Sequence, residues 1–368
     1  MLKVISIIGT RPEAIKMALL HKYLCEDDKF TAKLCSTGQH KELVSDVLQN
    51  FKIKADFEFE AMDYNSSMAA QMAYMLGALQ KLVEEEMPHL IIVQGDTLTA
   101  YCGSQIAFLN KIKLVHVEAG LRTYNKWGPF PEDINRRYID MVADLHCAPT
   151  HSAKENLISE NVKPESIIIT GNTGIDALKY ISNSITQGTL NVDEKLKNEI
   201  DALTSDGISV GLLTLHRRES TIETMLQMLQ NIESAAEDNS LVIYFPMHPN
   251  PKFQAIIEEF KDSNIIRCID ALSYNIFVWI MNASNIILTD SGGIQEEAPA
   301  LGKPLIILRQ ETERVELLDH SFCKLYNPNT ISSDIKHLLN QKSKPIEIYG
   351  DGMACQKIID GIKRITSF

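Results

Sequence analysis

Three acids recur at one kind of position in the first half of the chain. Asp96 follows the apolar run 90–93, Glu118 follows the run Lys113–Val117, and Glu132 opens the segment after the Gly/Pro-punctuated stretch 127–131. Each run reads as a buried strand, so the acids gather at the carboxyl edge of a parallel sheet, where open α/β sheets take ligands. Carboxylates gathered there can take up and return protons. Singly, each also has a plain structural role: Asp96 before Thr97 suits a helix cap, and Glu132 with Asp133 suits a helix's first turn. Alternation puts His116 and Glu118 on one face of their strand and Val117 on the other. A further acid–base candidate, His216, stands just past a later strand, Ser209–Thr214, beside Arg217 and Arg218. His248 lies in a proline-rich corner, 246–251, that sterics alone explain.

A second constellation points to an anion. The stretch 289–297 reads T-D-S-G-G-I-Q-E-E, with an apolar run before it and helix-forming residues after it. At such a strand-to-helix junction, Gly292 and Gly293 let the backbone approach a ligand, Ser291 offers a hydroxyl, and the first amides of the helix face outward. Glu296 and Glu297 suit the helix dipole but would repel a bare phosphate, so one of them is better matched to sugar hydroxyls. A tight turn capped by the serine is the alternative. Arg11 and Lys16 flank the start of the first helix, after 2–8 and Gly9, either as a solvated pair or as cations above the strand ends.

The elements that position these groups alternate as strand and helix through 368 residues, enough for two domains. The first set of β-α units occupies 1–173 and the second 174–352, with a polar hinge expected over 182–205; a terminal helix in 353–368 is expected to pack back on the first domain. The fold class is α/β, as two doubly wound, Rossmann-like domains facing across a cleft that would hold the site. A net charge of −12 argues against nucleic-acid or anionic-membrane partners, and the amino-terminal apolar run is too short to span or insert into a membrane. Seven scattered cysteines suit a reducing cytoplasm. No G-x-G-x-x-G or P-loop pattern and no metal-ligand spacing occurs, so neither cofactor nor metal is expected.

Taken together, the motifs resemble the non-hydrolysing UDP-N-acetylglucosamine 2-epimerases over almost the whole chain. The stretches that carry the resemblance are G-T-R-P-E-A-I-K-M (9–17), G-Q-H (38–40), Q-G-D-T (94–97), H-V-E-A-G-L-R-T (116–123), P-F-P-E-D-I-N-R-R (129–137), T-G-N-T (170–173), H-R-R-E (216–219) and D-S-G-G-I-Q-E-E-A-P (290–299). The resemblance implies a glycosyltransferase-B-like fold, no cofactor, a homodimer, and interconversion of UDP-N-acetylglucosamine with UDP-N-acetylmannosamine for cell-surface polysaccharide synthesis. It further implies elimination of UDP to a 2-acetamidoglucal and its re-addition, with Asp96, Glu118, Glu132 and His216 as the acid–base residues. Arg11, Lys16, Phe277, Ser291, Gly292, Gly293, Glu297 and Arg314 match the family's nucleotide-sugar contacts, Phe277 meeting uracil. Gln39, His40 and His248 correspond to a second, activating site in many bacterial members, with Tyr74 standing where those carry an arginine. Val315 replaces a proline of the familiar loop, and the segment after H-R-R-E is shortened. The hydrolysing branch lacks the R-P-E-A-I-K opening, and a glycosyltransferase of the same fold would need an acceptor groove.

Overall fold

The computed structural model describes residues 1–39, 41–60, 66–215, 221–247, 253–312, 314–341 and 343–366. His40, His216 and His248, all candidate site residues, lie outside this set. Near-continuous apolar runs, rather than alternating ones, mark strands buried on both faces, and such strands pair in parallel under helical layers. That is what the sequence forms.

The first sheet contains β1 (Leu2–Ile8), β2 (Phe30–Ser36), β3 (Phe57–Glu58), β4 (Leu90–Gln94), β5 (Lys113–Val117), β6 (Leu145–Ala148) and β7 (Ile167–Ile169), in the order β3-β2-β1-β4-β5-β6-β7. The helices among them are α1 (Arg11–Glu26), α2 (Lys41–Asn50), α3 (Met68–Glu86), α4 (Leu98–Leu109), α5 (Glu132–Val142) and α6 (His151–Ser159), with α7 (Thr173–Thr186) after β7. The second sheet follows α8 (Glu194–Ser205). It contains β8 (Ser209–Thr214), β9 (Leu241–Pro246), β10 (Ile266–Ile269), β11 (Ile286–Thr289), β12 (Leu305–Ile307) and β13 (Cys323–Leu325), in the order β10-β9-β8-β11-β12-β13. Its helices are α9 (Ile222–Asp238), α10 (Gln254–Phe260), α11 (Tyr274–Ala283), α12 (Gly292–Ala300) and α13 (Ile331–Leu339), and α14 (Ala354–Ile365) ends the described chain. All described strand pairs are parallel.

Each sheet reverses its winding once, at β1/β4 in the first and at β8/β11 in the second. Connections leave those strand pairs in opposite directions, which opens a crevice beyond their carboxyl ends. The chain divides into two compact units, Met1–Lys179 with Tyr349–Phe368, and Tyr180–Ile348. In the first, Ile5, Ile7, Ile91 and Val93 pack with Met75, Leu79 and Ile106. In the second, Leu213, Ile243, Phe245 and Leu288 pack with Leu229, Ile232 and Ile335.

Two segments gained definition beyond their sequence patterns. The charged stretch expected as a hinge holds α8, whose Asp193 cap accepts from the Leu196 amide at 3.0 Å and whose Leu196 and Ile200 are buried. Two apolar residues one turn apart suffice to dock a helix whose remaining face is charged. The terminal helix α14 belongs to the first unit, burying Ile358, Ile359 and Ile362 and packing on α1 and β6. Asp176 accepts the Cys355 amide at 2.8 Å, so a side chain of α7 satisfies an open amide in the first turn of α14.

Gly120 turns the chain sharply at φ +84°, and a Cβ there would lie 2.3 Å from the Ala153 carbonyl oxygen. Gly120→Ala should therefore destabilise the protein by about 2 kcal/mol or more through strain and displacement of α6. Gly77, inside α3 with open space around it, should show the opposite sign on substitution by alanine, a gain of about 0.5–1 kcal/mol. Differential scanning calorimetry of the two variants checks both.

Candidate active site

The winding reversal of the first sheet is built around a buried carboxylate. Thr10 caps α1 and Glu13 reaches back, which completes a capping box. Glu13 Oε2 accepts from the Gly9 amide at 3.0 Å, the Thr10 amide at 2.8 Å and the Thr10 hydroxyl at 2.8 Å. Its Oε1 accepts from the Thr97 hydroxyl at 2.6 Å. One side chain thus ties the turn after β1, which carries Arg11, to the turn after β4, which carries Asp96.

Asp96 is not a helix cap. Thr97 caps α4, accepting from the Ala100 amide, which leaves the Asp96 carboxylate to bond Arg136 Nη2 at 2.5 Å. Asn135 Nδ2 donates to the Asp96 carbonyl at 3.0 Å. Glu118 lies one residue beyond β5 in the left-handed region, φ +65°, so strand alternation does not extend to it. A non-glycine residue held there costs about 1–3 kcal/mol and persists only where its surroundings fix it. Here Lys16 Nζ and Gln94 Nε2 (2.7 Å) donate to its carboxylate, Arg136 Nη2 stands 3.6 Å away, and Arg136 Nη1 donates to its carbonyl. Asp96 and Glu118 are therefore brought together about two cations, Lys16 and Arg136.

Glu132 opens α5 one helical turn before Arg136, which puts both on the same stripe of that helix. Its neighbour Asp133 does structural work. Burial would raise the Asp133 carboxyl, but the Thr123 amide (2.7 Å) and hydroxyl (2.9 Å) outweigh that and hold it below the usual range. His116 is fully buried between Asp140 and the Gly95 carbonyl, away from the carboxylate of Glu118.

In the second unit Ser291 is the N-cap of α12 but makes no side-chain cap bond, so the hydroxyl is not spent on capping. The Arg314 guanidinium lies over Gly292, where a Cβ would come within 3.0 Å of it. Arg314 donates to Glu296 at 2.8 and 3.1 Å. Of the acidic pair, Glu296 is thus buried against Arg314, whereas Glu297 is half-exposed. Gly293 is exposed beside Ser291, and Phe277 is half-buried in the first turn of α11. Gln39 Oε1 accepts from Thr99 at 3.1 Å, and Tyr74 is exposed on α3. No helix of the described residues is long and apolar enough to cross a membrane.

Sequence reasoning had passed over Glu13, Gln94, Arg136 and Asp140. Two signals were present: the spacing Thr10-x-x-Glu13 is that of a capping box, and Glu132 to Arg136 is an i,i+4 step.

Two parallel, doubly wound sheets, with acids and cations at one winding reversal and a glycine-rich helix start at the other, place the chain in the α/β class. A family model for UDP-N-acetylglucosamine 2-epimerase matches residues 22–363. The UDP-N-acetylglucosamine 2-epimerase of Salmonella borreze is 40% identical over 374 residues, covering 98% of each chain, and that of Campylobacter jejuni is 39% identical over 372 residues, covering 97% and 96%. Among solved structures, a UDP-GlcNAc 2-epimerase from Neisseria meningitidis bound to UDP-GlcNAc superposes with a TM-score of 0.86 at 34% identity, covering 99% of this chain and 100% of that one. The Methanocaldococcus jannaschii enzyme in complex with UDP-GlcNAc and UDP gives 0.83 at 28% identity, with 99% and 100% covered. The chain belongs to the UDP-N-acetylglucosamine 2-epimerase family of enzymes.

Glu13 supplies a pH test. Burial pushes its carboxyl from 4.5 up to about 7, against the pull of the Thr97 and Thr10 donors. The folded state thus holds this proton more tightly than the unfolded chain does. Its contribution to stability is full below about pH 4.5 and is lost as pH rises through 7. Over that window wild type should lose about 3 kcal/mol relative to Glu13→Gln. Urea unfolding of both proteins across the window checks it, and a Glu13 carboxyl midpoint below 5 by NMR would overturn it.

Proposed function

We propose that this enzyme interconverts UDP-N-acetylglucosamine and UDP-N-acetylmannosamine without hydrolysis, through elimination and re-addition of UDP. The supporting observation is the pair Asp96 and Glu118, two carboxylates gathered about Lys16 and Arg136 at a winding reversal, in a chain of this family. The hydrogen on carbon 2 of the sugar is not next to a ring carbonyl, so direct deprotonation is slow. As the bond from carbon 1 to the UDP oxygen lengthens, positive charge grows at carbon 1 and the carbon 2 proton becomes removable by a carboxylate. The C2–H and C1–O bonds break, a C1–C2 double bond forms, and 2-acetamidoglucal and UDP remain bound. Re-addition with the proton on the opposite face gives the epimer. Nothing is oxidised and no water is consumed.

In this reading Asp96, Glu118, Glu132 and His216 serve the proton transfers. Arg11 and Lys16 neutralise the diphosphate, Ser291, Gly292, Gly293 and Arg314 hold it, Glu297 takes ribose hydroxyls, and Phe277 meets the base. Retention of UDP through the intermediate is what separates epimerisation from hydrolysis. The same reading makes the protein a cytoplasmic homodimer that supplies an activated N-acetylmannosamine for cell-surface polysaccharide.

Incubation with UDP-N-acetylglucosamine in deuterated water, followed by NMR, should place deuterium at carbon 2 of both UDP-sugars. Release of free N-acetylmannosamine, or no exchange, would sink the proposal. Glu118→Gln should lower exchange by about 10³-fold, within the range for loss of an acid–base group, while UDP affinity by calorimetry stays within about threefold.

A further inference from the structure

Neither Asp140 nor His116 has a place in the chemistry above, yet their bonds converge on the two turns that bear Asp96 and Glu118. Asp140, on α5, is buried. Its Oδ1 is hydrogen-bonded to His116 Nδ1 at 2.6 Å, and its Oδ2 accepts from Arg122 Nη2 at 2.7 Å and from the Gly120 amide at 3.2 Å. His116 Nε2 in turn donates to the Gly95 carbonyl at 2.7 Å. Asp140 therefore holds the turn at Gly95, one residue before Asp96, through a histidine. It holds the turn at Gly120, two residues after Glu118, directly. Both turns pass through left-handed backbone, at Gly95 (φ +73°), Glu118 (φ +65°) and Gly120 (φ +84°). The glycines adopt this region freely, but Glu118 persists there only where its surroundings fix it.

We infer that Asp140 and His116 are positioning residues for the reaction: a buried carboxylate–imidazole–carbonyl chain that sets the relative placement of the Asp96 and Glu118 carboxylates. The inference rests on the epimerase reading for its kinetic consequence but not for its structural one. Each ring nitrogen of His116 meets an oxygen at hydrogen-bond distance, Nδ1 the Asp140 carboxylate and Nε2 the Gly95 carbonyl. Burial would raise the Asp140 carboxyl, but its contacts with His116 and Arg122 outweigh that and hold it at about 2. Both ring nitrogens are thereby engaged, and the histidine works as a two-headed clamp between α5 and the turn at Gly95. Arg122 completes the chain by fixing Asp140 from the other side, itself braced by Glu160 at 2.8 and 3.0 Å.

A clamp of this kind acts on the transition state more than on nucleotide binding, because a displacement of about 1 Å between reacting groups costs on the order of 10²-fold in rate. Asp140→Asn should lower kcat by about 10²-fold with KM within about threefold, and His116→Gln, which keeps one donor, should fall between Asp140→Asn and wild type. Glu160→Gln, which loosens the brace without touching either turn, should stay within about threefold of wild type. Equal kcat values in folded Asp140→Asn and wild type, or losses shared equally by Glu160→Gln, would overturn the inference.

Two measurements do not depend on turnover. Histidine-labelled wild type should show both His116 ring nitrogens hydrogen-bonded by NMR, with an unbonded ring nitrogen refuting the clamp even where Asp140→Asn fails to fold. Amide hydrogen exchange at Gly95, Asp96 and Gly120 should quicken at least about tenfold in Asp140→Asn, and unchanged protection there refutes it. Absence of deuterium transfer by wild type would instead count against the epimerase reading alone.

Discussion

The first unit depends on one buried cation. Arg136 joins the carboxylate of Asp96 to the carbonyl of Glu118, with the Glu118 carboxylate 3.6 Å away. A buried guanidinium is costly unless its charge and its N–H groups are met, and removing one partner of such a set costs several kcal/mol more than the pair is worth. The acids at this sheet edge are therefore bound to the fold as well as to the chemistry. With Lys16 and Arg136 against Asp96 and Glu118, the local charge sums to zero.

Helix α5 carries that arrangement on a single stripe. Glu132, Arg136 and Asp140 are four residues apart, so each sits about 40° round from the last, on one face. That face points at the turns after β4 and β5, where an ordinary amphipathic helix would bury apolar side chains. Helix α5 gives the apolar core the buried Ile139 and the partly buried Val142, while Tyr138 and Met141 are exposed. The helix is held instead by polar bonds to backbone groups of the two turns. This explains why its sequence, E-D-I-N-R-R-Y-I-D-M-V, has so few core residues for a helix that packs centrally against α4 and β5.

Much of this was legible in the sequence, for a definite reason. Continuous apolar runs identify strands buried on both faces, and β1, β5, β6 and β8 were bounded by their flanking polar residues. The glycine at each strand end then located the turns where Asp96, Glu118 and Ser291 would stand. What could not be read were the pairings. Asp96 before Thr97 looks like a cap until the structure shows Thr97 doing the capping and Arg136, forty residues on, taking the carboxylate. Alternation along β5 breaks at Glu118 because the backbone turns left-handed there, and nothing in the sequence of a glutamate announces a positive φ. The short strands β3 and β13, of two and three residues, carry too few positions for any period to be seen.

The glycine-rich start of α12 posed an electrostatic puzzle, because two glutamates sit one turn inside a helix end suited to anions. Arg314 removes half of it. By pairing with Glu296 while its guanidinium covers Gly292, it turns a carboxylate that would repel an anion into the anchor of a cation at the helix start. Thr312 fixes the approach, its hydroxyl donating to Gln295 and accepting the Arg314 amide. The loop that delivers Arg314 is therefore stitched to α12 at two points. Glu297 stays half-exposed, and its position one residue on directs it to a different side of the helix from Glu296. Neighbouring acids on one helix turn thus divide into a buried counter-ion of Arg314 and a half-exposed carboxylate on another side of the helix.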